Sequence, residues 1–359
     1  MKIRKAFLYI AVCLSAFLLI LFSENAQTAA FYAVNLCITR LIPSLFPFFV
    51  LSSFVSLSGI SADLSRLCEN VMLPAFGVSG TGALPLLLGF FGGYPVGAKT
   101  ISELYARNEI TKSEAVRLLF FACNTGPSVI FGLCATALFS SVKAGLILYG
   151  IHIVSALLLG LSAKLFCGNC ETKSAKIRHT ERQNSASCFV RSVENAIGAM
   201  MNVCGFVVLF NVMIALVKAV KIFPSGSIGL VASGLCELSS GLDGLREIAP
   251  DTTRAMCLAS LFLGFGGLCV FLQSSSFIVP AKLPVSPYFF GKVLHGALSY
   301  GLTRLFMLWS RVSEVFSFTG HTTTKDFIFD YLGLFYSCAC FLAGVLLMIR
   351  WKIKHRHDL

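Results

Sequence analysis

The sequence predicts an all-α integral membrane protein, a polytopic helical bundle of about eight spans plus two re-entrant hairpins, built from two inverted repeats. Three observations carry that reading. Only 13% of the 359 residues are charged and 56% are hydrophobic, whereas soluble domains carry about 25% charged residues. Apolar runs of roughly 20 residues, each long enough to cross a hydrocarbon core, recur from one end to the other. Glycine, proline and polar residues then interrupt these runs at corresponding places in the two halves, as in "GFFGGYPVGAKT", residues 89–100. The residue-by-residue alternation of a membrane barrel is absent.

The elements follow in order. Residues 1–28 hold a first transmembrane span, about Ala6–Phe22, behind a basic start of Lys2, Arg4 and Lys5. The segment resembles a signal peptide and "AQTAA" resembles a cleavage site, but an uncleaved span is expected in a polytopic chain. Residues 29–166 make the first repeat. It opens with a span from Ala29 to about Leu57, interrupted by Pro43 and Pro47, and a polar turn, "SADLSRLCEN". An apolar stretch then closes in a hairpin near 89–99. Thr111 caps the next helix, with Glu114 in its first turn. That helix runs to about Ser140, broken by "CNTGPS" at 123–128, and a span covers Ala144–Phe166.

Residues 167–189 form a basic cytoplasmic loop, the natural divide between the halves. Residues 190–311 make the second repeat: a span to about Val217, a hairpin near 226–247, a span Thr252–Ile278 containing "GFGG" and "QSSS", and a span about Tyr288–Trp309. Residues 312–359 supply a final span, about Phe327–Ile349, and a basic cytoplasmic tail.

The net charge of +12 sits mainly in the gaps between apolar runs, with no basic patch interleaved with aromatics, so nucleic acid is not expected as a partner. With the N-terminus inside and both hairpins re-entrant, most of the 29 lysines and arginines fall on the inside, as cytoplasmic loops require. In that threading the first repeat begins by running inward and the second outward. "EAVRLLFFACNTGPSVIFG" aligns with "RAMCLASLFLGFGGLCVFL" at one constant offset, and Gly97 stands opposite Gly241. Inverted repeats with matched interruptions place a transporter's site near the midplane. Irregular backbone at membrane depth persists only where protein or a wet cavity satisfies it. Half-helix N-termini there carry partial positive charge and favour an anion. Glycine also serves simply to bring membrane helices close together.

At these residues the chain resembles a known family. "LIPSLFPFFVLSSF", "GFFGGYPVGAKTISELY" and "FFACNTGPSVIFG", with "GLCELSSGL" and "GFGGLCVFLQSSSFI" in the second half, are similar to the sporulation integral membrane protein YlbJ family, which carries the nucleoside-recognition Gate domain. The resemblance spans about Asn35–Trp309. It implies a repeat design like that of concentrative nucleoside transporters and a role in spore maturation. It further implies passage of dipicolinic acid, a small aromatic dianion, across the outer forespore membrane from the mother-cell side. "CGNC", Cys167–Cys170, is not part of the resemblance.

The expected substrate-binding residues lie at the interruptions. Tyr94 and Gly97 belong to the first hairpin, where Lys99 is a candidate carboxylate partner or else a topology-setting loop lysine. Asn124 and Thr125 sit at the break that Pro127 enforces, facing a substrate or satisfying only the kinked backbone. Glu237, Ser239 and Ser240 lie in the second hairpin, where Glu237 is a candidate site for a coupling proton or sodium ion or else a solvated acid. Gln273, Ser274 and Ser275, with Ser276, offer hydrogen-bonding groups or helix-packing contacts.

Catalysis is not expected. The six histidines (His152, His179, His295, His321, His355 and His357) show no repeating metal spacing, and "CGNC" lacks a second pair. No nucleophile elbow or phosphate-binding loop occurs. No cofactor or metal is expected, apart from a coupling ion, H+ or Na+. The expected partners are the lipid bilayer and a small anionic substrate, with a homo-oligomer left open. The rival reading is a non-transporting scaffold that recruits spore-assembly partners through its basic loop.

Overall fold

The fold is described from a computed structural model, which describes residues 2–58, 60–171, 185–221, 226–248 and 252–310. Every described secondary-structure element is helical. Among the described residues four helices are long and apolar enough to cross a membrane, or five if one bent pair counts as a single span. The expected final span and tail, residues 312–359, and most of the basic loop lie outside the described residues.

Helix α1 covers Lys2–Leu21 and α2 covers Ser23–Ser58. The expected interruption at Pro43 and Pro47 does not occur. Pro43 has no N–H to give the carbonyl four residues back, and the ladder widens just before it into a π-helical turn, Cys37–Leu41. The helix thereby carries both prolines without breaking. The expected polar turn "SADLSRLCEN" is helical as well, inside α3, Ile60–Phe76. The chain instead bends by 91° at the short break after Phe76, where Gly77 has φ +65°.

Next come α4, Ala83–Gly92, and α5, Tyr94–Ala106. Their arms pack together about a one-residue tip, Gly93, whose φ of +90° and ψ of 180° suit glycine. The tip is therefore much tighter than "GGYPVGAK" suggests. Pro95 lies in the first turn of α5, where a missing N–H costs nothing. A capping box of Thr111 and Glu114 starts α6, Lys112–Phe121. After the break, α7 covers Pro127–Leu138, mostly as π-helix, and α8 covers Val142–Cys167.

In the second half a long helix, a hairpin and a broken helix recur, with no counterpart of α3 among the described residues. A long helix, α9, Ser185–Ala219, begins inside the expected basic loop. The arms α10, Gly226–Cys236, and α11, Leu238–Ile248, then fold about Glu237. A broken helix follows as α12, Thr252–Phe265, and α13, Gly267–Ile278. "QSSS" is helical, so the break lies at Gly266 and Gly267 alone, both left-handed at φ +82° and +84°. Helix α14, Ser286–Ser310, ends the described chain.

The two long helices α2 and α9 pack against each other, and α14 packs on α12, α6 and α8. The halves also exchange partners. The second arm of the first hairpin, α5, packs on α13, and the second arm of the other, α11, packs on α7. Glycines permit the close approaches. A Cβ on Gly89 would run into the Ala122 carbonyl oxygen, and one on Gly97 would lie 3.4 Å from the Gly89 Cα. In the second hairpin a Cβ on Gly241 would strike the Gly234 Cα. Gly97 and Gly241, aligned in sequence, thus do the same packing work one turn after each tip.

Candidate functional site

The four interruptions meet. A Cβ on Gly126 would stand 3.1 Å from the Gly93 nitrogen, so the first tip rests on the first break, backbone to backbone. A Cβ on Gly267 would stand 3.2 Å from the Cys236 carbonyl oxygen, so the second break rests on the second tip. Between the halves, the ring of Tyr94 lies 3.0 Å from where a Gly266 Cβ would be.

Hydroxyl groups tie these breaks together. The last carbonyls of α12 lose their helical donors at Gly266. Thr125 Oγ1 donates to the Leu263 carbonyl at 2.7 Å, and the Tyr94 hydroxyl donates to the carbonyls of Leu263 and, at 3.0 Å, Gly264. The backbone N–H of Thr125 is bound in turn by His152 Nε2 at 2.9 Å. The freed carbonyls of α12 are thus satisfied by side chains from the first half, and the Thr125 N–H by His152 of its own half.

A cavity of about 430 Å³ opens at this junction. Both tips, the first break and α13 line it, together with the long helices α2 and α9. Most of its wall is apolar, and a few polar groups converge on it, as in a small-molecule site. The N-terminal turns of α5, α7 and α11 reach it through Tyr94 and Pro95, Ser128 and Val129, and Leu238 and Ser239. Three helix N-termini therefore present partial positive charge to one space. The Glu237 carboxylate answers the last of these itself, accepting from the backbone N–H groups of Ser239 at 3.0 Å and Ser240 at 2.8 Å.

Of the residues expected from the sequence, Tyr94, Thr125, Glu237, Ser239 and Gln273 line the cavity. The others lie elsewhere. Gly97 is packed against α4 and the backbone of Ala122 and Cys123. Lys99 is buried between α5 and α2, with Nζ 2.6 Å from Glu103 Oε1 and 2.5 Å from Ser53 Oγ. Asn124 donates to the Phe121 carbonyl at 3.1 Å, closing the end of α6. Ser240 supplies a backbone N–H to Glu237. Ser274 pairs with the Tyr288 hydroxyl at 3.0 Å, Ser275 donates to the Phe271 carbonyl, and Ser276 accepts from Asn202. Ser274 and Ser276 join helices, and Ser275 bonds within its own.

The sequence reading missed the cation on the cavity wall. Arg40 lines it from the π-helical turn of α2, with Ser44 one turn on. The signal was present, since a lone arginine inside a long apolar run marks a functional position, and π-turns concentrate at such places. A second omission lies behind the wall. Lys292 and His295 on α14 and His152 on α8 are all buried, with the two imidazole rings 4.3 Å apart and tilted by 32°. Among the described residues no group of three or more His, Cys, Asp or Glu is placed to hold a metal ion.

Residues 38–155 match the family model described as Gate, nucleoside recognition. The match lies within the first half. The match begins in the π-helical turn of α2 and ends within α8, so the matched stretch includes Arg40, the first tip, the first break and His152. The chain is also 26% identical over 302 residues to the sporulation integral membrane protein YlbJ of Bacillus subtilis (strain 168), covering 74% of this chain and 73% of that protein. The resemblance read from the motifs is borne out. No solved structure matches.

Proposed function

We propose that this Gate-domain protein is a secondary transporter of a small anionic metabolite, with dipicolinic acid as its substrate. The observation that carries the proposal is the convergence of both hairpin tips and the first helix break on one cavity lined by Arg40, with the second break packed against the second tip. Interrupted helices at matched positions around a common pocket are the construction of transporters that work by alternating access. Three helix N-termini and a guanidinium suit carboxylates, and Tyr94 offers a ring face to an aromatic body. In this reading the two halves are inverted repeats within a bundle of about eight spans. The relative named for sporulation supports placing the protein in the outer forespore membrane, passing substrate from the mother-cell side during spore maturation.

Uptake of labelled dipicolinate into proteoliposomes tests the proposal. Saturable uptake, suppressed by excess unlabelled dipicolinate, is expected. Well-folded protein that takes up none under either a proton or a sodium gradient sinks it. The scaffold alternative predicts loss of spore maturation on shortening the basic loop with uptake untouched.

A further inference from the structure

Lys292 sits where an ammonium group has little reason to be. It is fully buried, and its Nζ donates to the Cys123 carbonyl at the end of α6. Nζ also lies 3.2 Å from His295 Nδ1 and 5.0 Å from the centre of the Tyr94 ring. The titratable groups facing it are the Cys123 thiol, Tyr94 and His295, with the His152 ring 4.3 Å beyond that of His295. Among the described residues no carboxylate is paired with it. The helices α8, α12 and α14 contain no Asp or Glu. The one acid of α6, Glu114, is bound to the Ser79 and Thr111 backbone N–H groups, and the one acid of α5, Glu103, is paired with Lys99.

The hydrogen bonds define where a proton can sit. His295 Nε2 lies 3.0 Å from the His152 carbonyl oxygen, so Nε2 carries a hydrogen and Nδ1 is the acceptor facing Lys292. His152 Nε2 accepts from the Thr125 N–H, which puts its hydrogen on Nδ1, a buried atom without a partner among the described residues. The Lys292–His295 pair thus has two adjoining seats for one extra proton. Moving between them breaks an Nζ–H bond as an Nδ1–H bond forms, and the pair holds a single positive charge either way. No acid among the described residues offsets the charge of the pair, and an anion in the cavity would supply the missing opposite charge.

The cluster adjoins the cavity at two points. Tyr94, whose ring Lys292 faces, lines it, and so does Thr125, whose N–H is held by His152. The charged groups on the cavity itself are Arg40 and Glu237. We infer that Lys292, with His295 as its acceptor, is a proton-binding site that fills when an anion occupies the cavity, making anion and proton travel together. This rests on the transporter proposal and assigns the coupling ion to a residue on α14 rather than to Glu237. An anion one side chain away favours the protonated pair, and by reciprocity the proton tightens the anion. When the anion leaves, the proton follows.

The test uses the full chain in detergent, with dipicolinate as probe. Calorimetric titration in buffers of different ionisation heat should show close to one proton taken up per dipicolinate bound, with affinity weakening as pH rises. Lys292→Gln, never charged, should bind about tenfold more weakly, and Lys292→Arg, always charged, at least as tightly as the parent. Both should bind with no proton uptake. A purely structural role for Lys292 would not give opposite affinities with the same loss of proton uptake. Binding by the parent with no proton taken up overturns the inference and leaves the transporter standing. Absence of dipicolinate binding sinks the substrate instead. In that event 15N-histidine NMR of the free protein decides the proton site: a His295 signal that titrates in the parent and stays flat in Lys292→Arg supports it, and a flat signal in the parent overturns it.

Discussion

Arg40 and Lys99 divide the roles that sequence alone would have merged. Arg40 reaches the cavity, whereas Lys99 is spent on Glu103 and Ser53. Arg40→Gln should therefore lower dipicolinate affinity by about tenfold or more, the worth of one charge-assisted contact, with little change in thermal stability. Lys99→Gln should do the reverse. It leaves the half-buried Glu103 carboxylate without its partner and lowers the melting temperature, while the folded fraction binds normally. Comparing melting curves with binding isotherms separates the two. The i, i+4 spacing of Lys99 and Glu103 was visible in the sequence as an ion-pair pattern, but which face of α5 it occupied was not. Arg40 was obscured because the nearby prolines drew attention to a break that the π-turn absorbs.

Cys170 makes a separate residue-scale point. Its backbone N–H donates to the Gly77 carbonyl. Burial pushes its thiol up to about 11, with the Arg117 guanidinium pulling partway back. A raised thiol keeps the reactive thiolate scarce at neutral pH. Alkylation of Cys170, followed by mass spectrometry, should be slow at pH 7 and climb continuously toward pH 11. Fast modification at neutral pH would show that this corner is open.

At the scale of elements, the hairpins and broken helices were legible because glycine and proline mark them directly. What the sequence could not settle was which glycine turns the chain and which merely lets another segment pass. Gly93 turns, while Gly89 and Gly97 admit neighbouring backbone. Gly93→Ala places a side chain at φ +90° and should cost about 1–3 kcal/mol. Gly89→Ala meets the Ala122 carbonyl and should cost at least as much, through displaced backbone. Thermal unfolding in detergent reads both. Tyr94→Phe leaves the carbonyls of α12 with one donor fewer and should weaken the tie between the halves by about 1 kcal/mol.

Across the whole molecule, the repeated order of long helix, hairpin and broken helix was readable from spacing. Its consequence, four interruptions pressed into one junction, was not, because that depends on which helices exchange partners. The buried α14 cluster was hidden for a related reason. Lys292 and His295 are one turn apart in the chain, but His152 reaches them only through the packing of α8 on α14.

The long helices α2 and α9 carry one further implication. At 36 and 35 residues each measures about 50 Å along its axis, against a hydrocarbon slab of about 30 Å. Such rods must lean steeply or stand proud of the lipid, and because they pack together and both line the pocket, their slant sets the shape of its wall. Bilayer thickness should accordingly act as a mechanical control: reconstitution in lipids of graded acyl length should shift the rate of passage, with an optimum rather than a steady trend.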